Sequence, residues 1–224
     1  EFNALCRTSV ERHVDAFEEM TERMGYWVDL SQAYRTMDPH YIESVWWSLK
    51  TIFDKGLLVQ DHRVTPYCPR CGTGLSDHEV AQGYETVVDP SVYVRFPVEG
   101  RDYDLLVWTT TPWTLPSNTG AAVGPEITYV RVEAPDGGRD LVMARDRVAA
   151  VLGDDARVVG DVAVAELVGA RYEPPFTLLD VEGDKRHTIV ADDFVTVDDG
   201  SGIVHLAPAF GEIDREIGER EGLP

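Results

Sequence analysis

From Thr86 onward the chain is a series of short apolar runs, Val92 to Phe96, Leu105 to Trp108, Thr128 to Val132 and Leu141 to Ala144, each cut by Gly, Pro or Asp before it reaches helical length. Runs this short, rich in β-branched and aromatic residues, read as strands. Further strand segments lie around Arg157 to Val159, Thr188 to Val190, Thr196 and Val204, and Asp136-Gly137-Gly138 is a hairpin turn signal. One short helix is expected from Arg145 to Leu152. Strands in this number with few helices between them predict a β-barrel-like domain with peripheral helices over residues 86–224.

Residues 1–85 are patterned differently. Val10, Val14, Phe17, Met20 and Met24 recur at helical spacing between acidic residues, which predicts one amphipathic helix from Thr8 to Met24 with that stripe in a core. Asp38-Pro39 can open a second helix that runs through Tyr41 to Lys55 and stops at Gly56. Trp46 and Trp47 on it are expected to pack. Cys68 and Cys71 have the Cys-x-x-Cys spacing that lets one turn present two thiolates to one metal. A redox dithiol normally opens a helix, and Gly72-Thr73-Gly74 would break one, so half a zinc knuckle is the better reading. Cys6 stands alone far upstream, and three cysteines do not make a disulfide framework.

At 224 residues there is room for one full domain and part of another. The chain opens at Glu1 without a methionine and stops at Pro224 directly after an expected helix, so both ends read as cuts. No apolar run approaches the ~20 residues of a membrane span, and no signal segment opens the chain, which predicts a cytoplasmic protein without membrane partners. The formal net charge of −20 argues by itself against nucleic-acid binding, which draws affinity from phosphate neutralisation. Arg139, Arg145, Arg147, Lys185 and Arg186 are the residues from which a local basic patch could be built.

Two stretches carry chemistry. Trp108 to Asn118 reads Trp-Thr-Thr-Thr-Pro-Trp-Thr-Leu-Pro-Ser-Asn. It follows an apolar strand, and Pro112 and Pro116 stop the ladder because proline has no N–H to donate. Threonine hydroxyls and indoles are thus crowded at a strand mouth, which is the composition of a small amphipathic pocket. Strand preference alone would account for Thr109-Thr110-Thr111, but not for the tryptophans and prolines around them. Gly200 to Asp214 reads Gly-Ser-Gly-Ile-Val-His-Leu-Ala-Pro-Ala-Phe-Gly-Glu-Ile-Asp. Asp199-Gly200 predicts a hairpin between Phe194–Val197 and Ile203–Leu206, and Gly211 precedes a helix from Glu212 to Glu221 with Asp214 in its first turn. Singly, Asp214 reads as a helix-dipole carboxylate and His205 as a satisfied strand histidine.

Together these two stretches resemble the two editing motifs of the isoleucyl-tRNA synthetases, a class I aminoacyl-tRNA synthetase family. Tyr41-Ile42-Glu43-Ser44-Val45-Trp46-Trp47 and Tyr67-Cys68-Pro69-Arg70-Cys71-Gly72 extend the resemblance over nearly the whole chain. The valyl and leucyl enzymes differ where this chain has Thr111-Pro112-Trp113 and Pro208-Ala209-Phe210-Gly211. The resemblance implies an α/β and α+β fold: part of a Rossmann-type catalytic domain, mainly helices and the cysteine knuckle, over residues 1–85, and a truncated β-barrel-like editing domain over residues 86–224.

It also implies a function. The parent enzyme joins isoleucine to its tRNA with ATP and Mg2+, and the editing site hydrolyses valine mischarged onto that tRNA without any cofactor. Neither phosphate-binding signature of the class, His-x-Gly-His or Lys-Met-Ser-Lys-Ser, is present here, so this stretch alone is not expected to activate an amino acid. The implied catalytic residues are Asp214, Thr114 and Thr111, with Asp214 gripping the substrate ammonium group. Thr109, Thr110, Trp113, Asn118 and His205 are implied to bind substrate, and Cys68 and Cys71 to hold a structural Zn2+ whose other ligands lie elsewhere. Ile213 departs from many relatives, which are acidic at that position. The implied partners are the 3′ end of tRNA(Ile), isoleucine and ATP, acting on a monomer. A free-standing aminoacyl-tRNA deacylase and a non-catalytic RNA-binding or zinc-ribbon module are the alternatives.

Overall fold

The computed structural model describes residues 1–224, which form two compact units, residues 1–62 and residues 63–224. The first is helical: α1 (Phe2–Glu11), α2 (Val14–Arg23) and α3 (Pro39–Asp54). The single helix expected over Thr8 to Met24 is therefore two helices. His13, with φ −108° and ψ 0°, leaves the helical region, and its N–H reaches back only to Val10 O at 3.3 Å. The apolar spacing runs on across this break, so the period does not report it. α3 has the expected start, with Asp38 as N-cap and Pro39 in the first turn, although the Asp38 side chain makes no capping bond.

The expected core of this unit is absent from it. Val10, Phe17, Met20 and Met24 are exposed, and Trp46 and Trp47, expected to pack, are 67% and 70% exposed. Thr21 is its one buried residue, with a hydroxyl that donates to Phe17 O at 2.8 Å. An apolar stripe states that a face seeks cover, not where the cover lies.

The second unit opens with the knuckle: β1 (Tyr67–Cys68) pairs antiparallel with β2 (Thr73–Gly74), and Gly72 turns the chain with φ +70°. The short helix α4 (Asp77–Gln82) follows, opened by a capping box between Ser76 and Glu79. The sheet then takes shape from β3 (Val92–Pro97), β4 (Tyr103–Thr109), β5 (Gly120–Val123), β6 (Tyr129–Val132), β7 (Asp140–Ala144), β8 (Val158–Val162), β9 (Thr188–Ala191) and β10 (Ile203–Leu206), with α5 (Val148–Leu152), α6 (Val164–Leu167) and α7 (Glu212–Glu221) between or after them.

Strand order is β8-β6-β7-β4-β10-β5-β9, and β3 covers the other edge of β4. Residues 171–172 complete a ring, because Tyr172 bridges Val98 beyond β3 while Arg171 bridges Thr188 of β9. The barrel thus closes through β3, β4, β10, β5, β9 and this two-residue segment, and β7, β6 and β8 splay away from β4. Both faces of β4 are therefore covered. Tyr103, Leu105 and Val107 join the barrel core with Phe96, Tyr172, Ile189 and Ile203, while Leu106 packs with Val130, Val132, Leu141 and Met143 on the other side. A strand covered on both faces has no polar alternation to keep, which is why Leu105 to Trp108 is a continuous apolar run.

The hairpin expected between Phe194–Val197 and Ile203–Leu206 does not form. β10 pairs antiparallel with β5 on one side and parallel with β4 at Trp108 on the other, so neither edge is open to a preceding strand. Residues 194–197 instead run as a loop in which the Phe194 N–H is caught by Asp192 Oδ1 at 3.0 Å. The turn at Gly137 (φ +72°) does join an antiparallel pair, β6 and β7. No helix is long and apolar enough to cross a membrane.

Candidate active site

The threonine-rich stretch leaves β4 at Thr109 and winds into a tight helical turn, Pro112–Ser117, in which Pro112 takes the first position. This places the hydroxyls in a chain. Thr109 Oγ1 accepts from the Thr111 N–H at 3.0 Å and lies 3.2 Å from Thr111 Oγ1. Thr114 Oγ1 donates to Thr111 O at 2.8 Å and stands 2.9 Å from His205 Nε2, a side chain that comes from β10 across the barrel mouth. Since the Thr114 proton is committed to a carbonyl, His205 must donate to it from Nε2–H. His205 Nδ1 then carries the lone pair, buried and without a partner. Burial pushes the His205 pKa below its ordinary value, and the Asp214 charge opposes this only in part, so the ring is neutral near pH 7.

Asp214 arrives from the first turn of α7, as its sequence position implied. Gly211 at the N-cap makes room for it: a Cβ there would lie 2.7 Å from Asp214 Cγ. The carboxylate folds back over the start of the helix and accepts the Ala207 N–H through Oδ2 at 2.8 Å. One cleft of about 440 Å³ is lined by Trp108, Thr109, Thr110, Thr111, Trp113, Thr114, Val204, His205, Ala207, Phe210, Gly211 and Asp214. It has the makeup of a ligand site, apolar walls with a few convergent polar groups and one carboxylate. Its two halves are separated by about a hundred residues of sequence, so nothing local brings them together.

Residues 1–198 match the family of class I tRNA synthetases (I, L, M and V). The chain belongs to this family. It is 58% identical over 229 residues to the isoleucine–tRNA ligase of Streptomyces coelicolor, with 100% of the chain and 22% of that protein covered. It is 58% identical to the isoleucine–tRNA ligase of Thermobifida fusca, covering 100% of the chain and 21% of that protein. For that of Thermus thermophilus the figures are 48% identity, 100% and 22%. The chain thus spans about a fifth of the length of the curated relatives it matches. Among solved structures it is similar to GlLeuRS-CP1, at 16% identity and a TM-score of 0.46 over 54% of this chain and 46% of that one. The editing domain of P. falciparum cytosolic leucyl-tRNA synthetase follows, at 13% identity and a TM-score of 0.43 over 55% and 49%.

Of the site residues that the synthetase resemblance implied, Asp214, Thr109, Thr110, Thr111, Trp113, Thr114 and His205 meet in the cleft, although Trp113 is 66% exposed and walls only its outer rim. Asn118 is not brought there. It is 2% exposed, its Nδ2 donates to Gly120 O at 2.8 Å, and its Oδ1 accepts the Tyr172 hydroxyl at 2.6 Å. It ties the end of the threonine turn to the barrel-closing segment. Sequence reasoning also left out Ala207 and Phe210 as lining residues, although both stand inside the second motif, and it had no signal for Tyr172.

Four of the five residues from which a basic patch could be built are tied to neighbours within the chain. Arg139 pairs with Asp104, Arg145 with Asp161, Arg147 with the carbonyls of Gly200 and Asp198, and Lys185 with Glu221 O. Cys68 and Cys71 share the β1–β2 turn, where Cys68 Sγ accepts the Cys71 N–H at 3.3 Å. That bond, with the Cys71 side chain, holds the Cys68 thiol below its usual pKa. The pair suits two positions of a tetrahedral thiolate site, and no third His, Cys, Asp or Glu of the chain completes a metal-binding group.

Proposed function

We propose that the cleft is an editing site that hydrolyses the ester joining valine to the terminal ribose of tRNA(Ile), and that the chain is the corresponding part of an isoleucine–tRNA ligase. The observation that carries this reading is the convergence of Asp214, His205 and the Thr109 to Thr114 hydroxyls in one cleft. An aminoacyl ester is already activated, so the site need only orient a water, steady the developing oxyanion and select the acyl group. A second sieve is needed because one methylene is worth only ~1–3 kcal/mol in a hydrophobic pocket, a limit for which isoleucine against valine in isoleucyl-tRNA synthetase is itself the standard worked example.

The Asp214 carboxylate pairs with the valyl ammonium group and sets the ester in register. His205, neutral and fixed through Thr114, limits the size of the side chain. The Thr109, Thr110 and Thr111 hydroxyls, able both to donate and to accept, line the path of the amino acid and the terminal adenosine. In this reading Thr111 and Thr114 are the catalytic hydroxyls, which steady the attacking water and the leaving ribose oxygen.

In the parent enzyme, a cytoplasmic monomer in our reading, ATP and Mg2+ serve isoleucine activation, which residues 1–224 do not perform alone. We place the boundary between synthetase body and editing domain at residues 85 and 86. Cys68 and Cys71 supply two of four ligands to a structural zinc, whose thiolates would stiffen the knuckle.

The test is single-turnover hydrolysis of valyl-tRNA(Ile) by the full-length protein that contains this chain. Asp214→Ala removes a charge-assisted contact worth roughly 1.5–3 kcal/mol, so the rate should fall by about tenfold or more. Melting should fall modestly, by the ~0.3–1 kcal/mol of a first-turn carboxylate plus about 1–3 kcal/mol for the Ala207 N–H left without its acceptor, so rates are compared at a temperature where both proteins are folded. Asp214→Asn, which retains shape but not charge, should fail as well. Deacylation by Asp214→Ala at the parent rate would remove the residue from the mechanism.

A further inference from the structure

Trp108 forms one wall of the cleft, and behind its indole stands a tightly tethered turn, residues 198–202. Gly200 in this turn has φ +67° and approaches the ring so closely that a Cβ would lie 2.6 Å from Trp108 Cε3, 2.7 Å from Cδ2 and 3.0 Å from Cγ. The turn itself has little freedom to retreat. Arg147, at the start of α5, donates through Nε to Gly200 O at 2.9 Å and through Nη1 to Asp198 O at 3.1 Å. The Ala144 N–H at the end of β7 donates to Ser201 O at 2.9 Å, and the Tyr129 hydroxyl of β6 donates to Gly202 O at 2.6 Å.

The backbone of Trp108 is held as firmly, between Tyr93 of β3 and Val204 of β10. Beneath the turn lies a hollow of about 290 Å³, lined by Asp198, Asp199, Ser201 and Gly202 together with Trp108 and Val204, two residues that also line the cleft. Trp108 thus borders both spaces, with its indole against Gly200.

We infer that the 198–202 turn is a backing plate that sets the width of the cleft through Trp108, and that Gly200 and Arg147 are positioning residues for which aliphatic acyl group the site accepts. The inference rests on the editing reading of the cleft. Glycine is required at 200 on two counts, the left-handed backbone and the absence of a Cβ against the ring. A methyl group added there drives the indole into the cleft, which narrows the site so that alanyl still enters and valyl does not. Loss of the Arg147 tether acts in the opposite sense: the wall yields, and the cleft tolerates isoleucyl.

The experiment uses the full-length protein and compares single-turnover hydrolysis of valyl-, alanyl- and isoleucyl-tRNA(Ile). Gly200→Ala is expected to lower the valyl rate by roughly tenfold or more while the alanyl rate stays within about threefold, the scale of one methyl group in a tight pocket. Gly137→Ala is the control for backbone strain, since Gly137 has φ +72° and a Cβ added to it would meet nothing within 4 Å. It should leave all rates in place. Adding Trp108→Phe to Gly200→Ala makes room for the methyl group and should restore valyl hydrolysis, a rescue that a general loss of stability would not show.

If Gly200→Ala does not fold, Arg147→Gln, which adds no bulk at the ring, carries the test through a rise of isoleucyl relative to valyl hydrolysis. An unchanged valyl-to-alanyl ratio in folded Gly200→Ala, or an unchanged isoleucyl-to-valyl ratio in Arg147→Gln, overturns the inference and leaves the editing reading standing. Failure of the unmodified protein to hydrolyse valyl-tRNA(Ile) overturns both.

Discussion

The helices of residues 1–62 and the sheet of residues 63–224 carry apolar patterns of similar regularity, yet only the second unit buries its pattern within itself. Phe96, Leu105, Val107, Ile189 and Ile203 are at most 1% exposed inside the closed barrel, whereas Trp46 on α3 is 67% exposed. The barrel wraps its own apolar face, while α1, α2 and α3 leave theirs largely bare. The difference teaches that periodicity fixes which face of an element is apolar, and that cover for this face is a property of the neighbours the chain supplies.

The largest expected effect tests this contrast directly. Phe96→Ala empties a site in the barrel core, where the ring stacks on Tyr172 at 4.9 Å between centroids. It should destabilise the second unit by about 3–5 kcal/mol. Trp46→Ala removes a larger side chain from an exposed position and should change the stability of this chain by about 0.5 kcal/mol or less. Equal losses in chemical denaturation would mean that residues 1–62 have a core after all.

A smaller effect separates fold from site within the second unit. Asn118→Ala strips the partners from the Tyr172 hydroxyl and the Gly120 carbonyl, both buried, and should cost about 1–3 kcal/mol. Hydrolysis by this variant should fall only in proportion to the unfolded fraction and return at lower temperature. A folded Asn118→Ala protein without activity would instead place Asn118 in contact with substrate.

The smallest effect is on pH dependence. His205 and His187 are both held below the ordinary imidazole pKa, in each case first by burial. A histidine with a lowered folded pKa takes up its proton more readily when unfolded, so stability is full above about pH 6.5 and declines as pH falls below it, until the folded value is passed. Melting curves recorded from pH 7.5 downward should show that decline, and His205→Gln should make it shallower. A melting temperature that rises on acidification through this window would contradict the assignment of a neutral, buried His205.

Much of the second unit was legible because its signals are local. Gly211 and the run that follows it mark α7 from Glu212 to Glu221 as found, Asp136-Gly137-Gly138 marks the β6–β7 turn, and Gly72-Thr73-Gly74 marks the end of the β1–β2 turn. β5 was not legible, because Gly120-Ala121-Ala122-Val123 has none of the bulk that identifies a strand. It is small because it is crowded: a Cβ at Gly120 would lie 2.7 Å from Leu223 Cδ1.

By itself, then, the sequence determined the local conformations and the chemical inventory: a strand halted by prolines among threonines, a histidine on a strand, and an aspartate in the first turn of a helix. Only the tertiary structure decided which of these meet. The 194–197 segment lost its expected partner because β4 and β5 already occupy both edges of β10. Asn118 went to the core because Tyr172, more than fifty residues away, supplies its hydrogen bond. Thr114 and His205 came into contact because closure of the barrel sets the ends of β4 and β10 side by side. Each is a long-range pairing, selected by which edges and cavities remain open once the other strands are in place, and no window of local sequence records that competition.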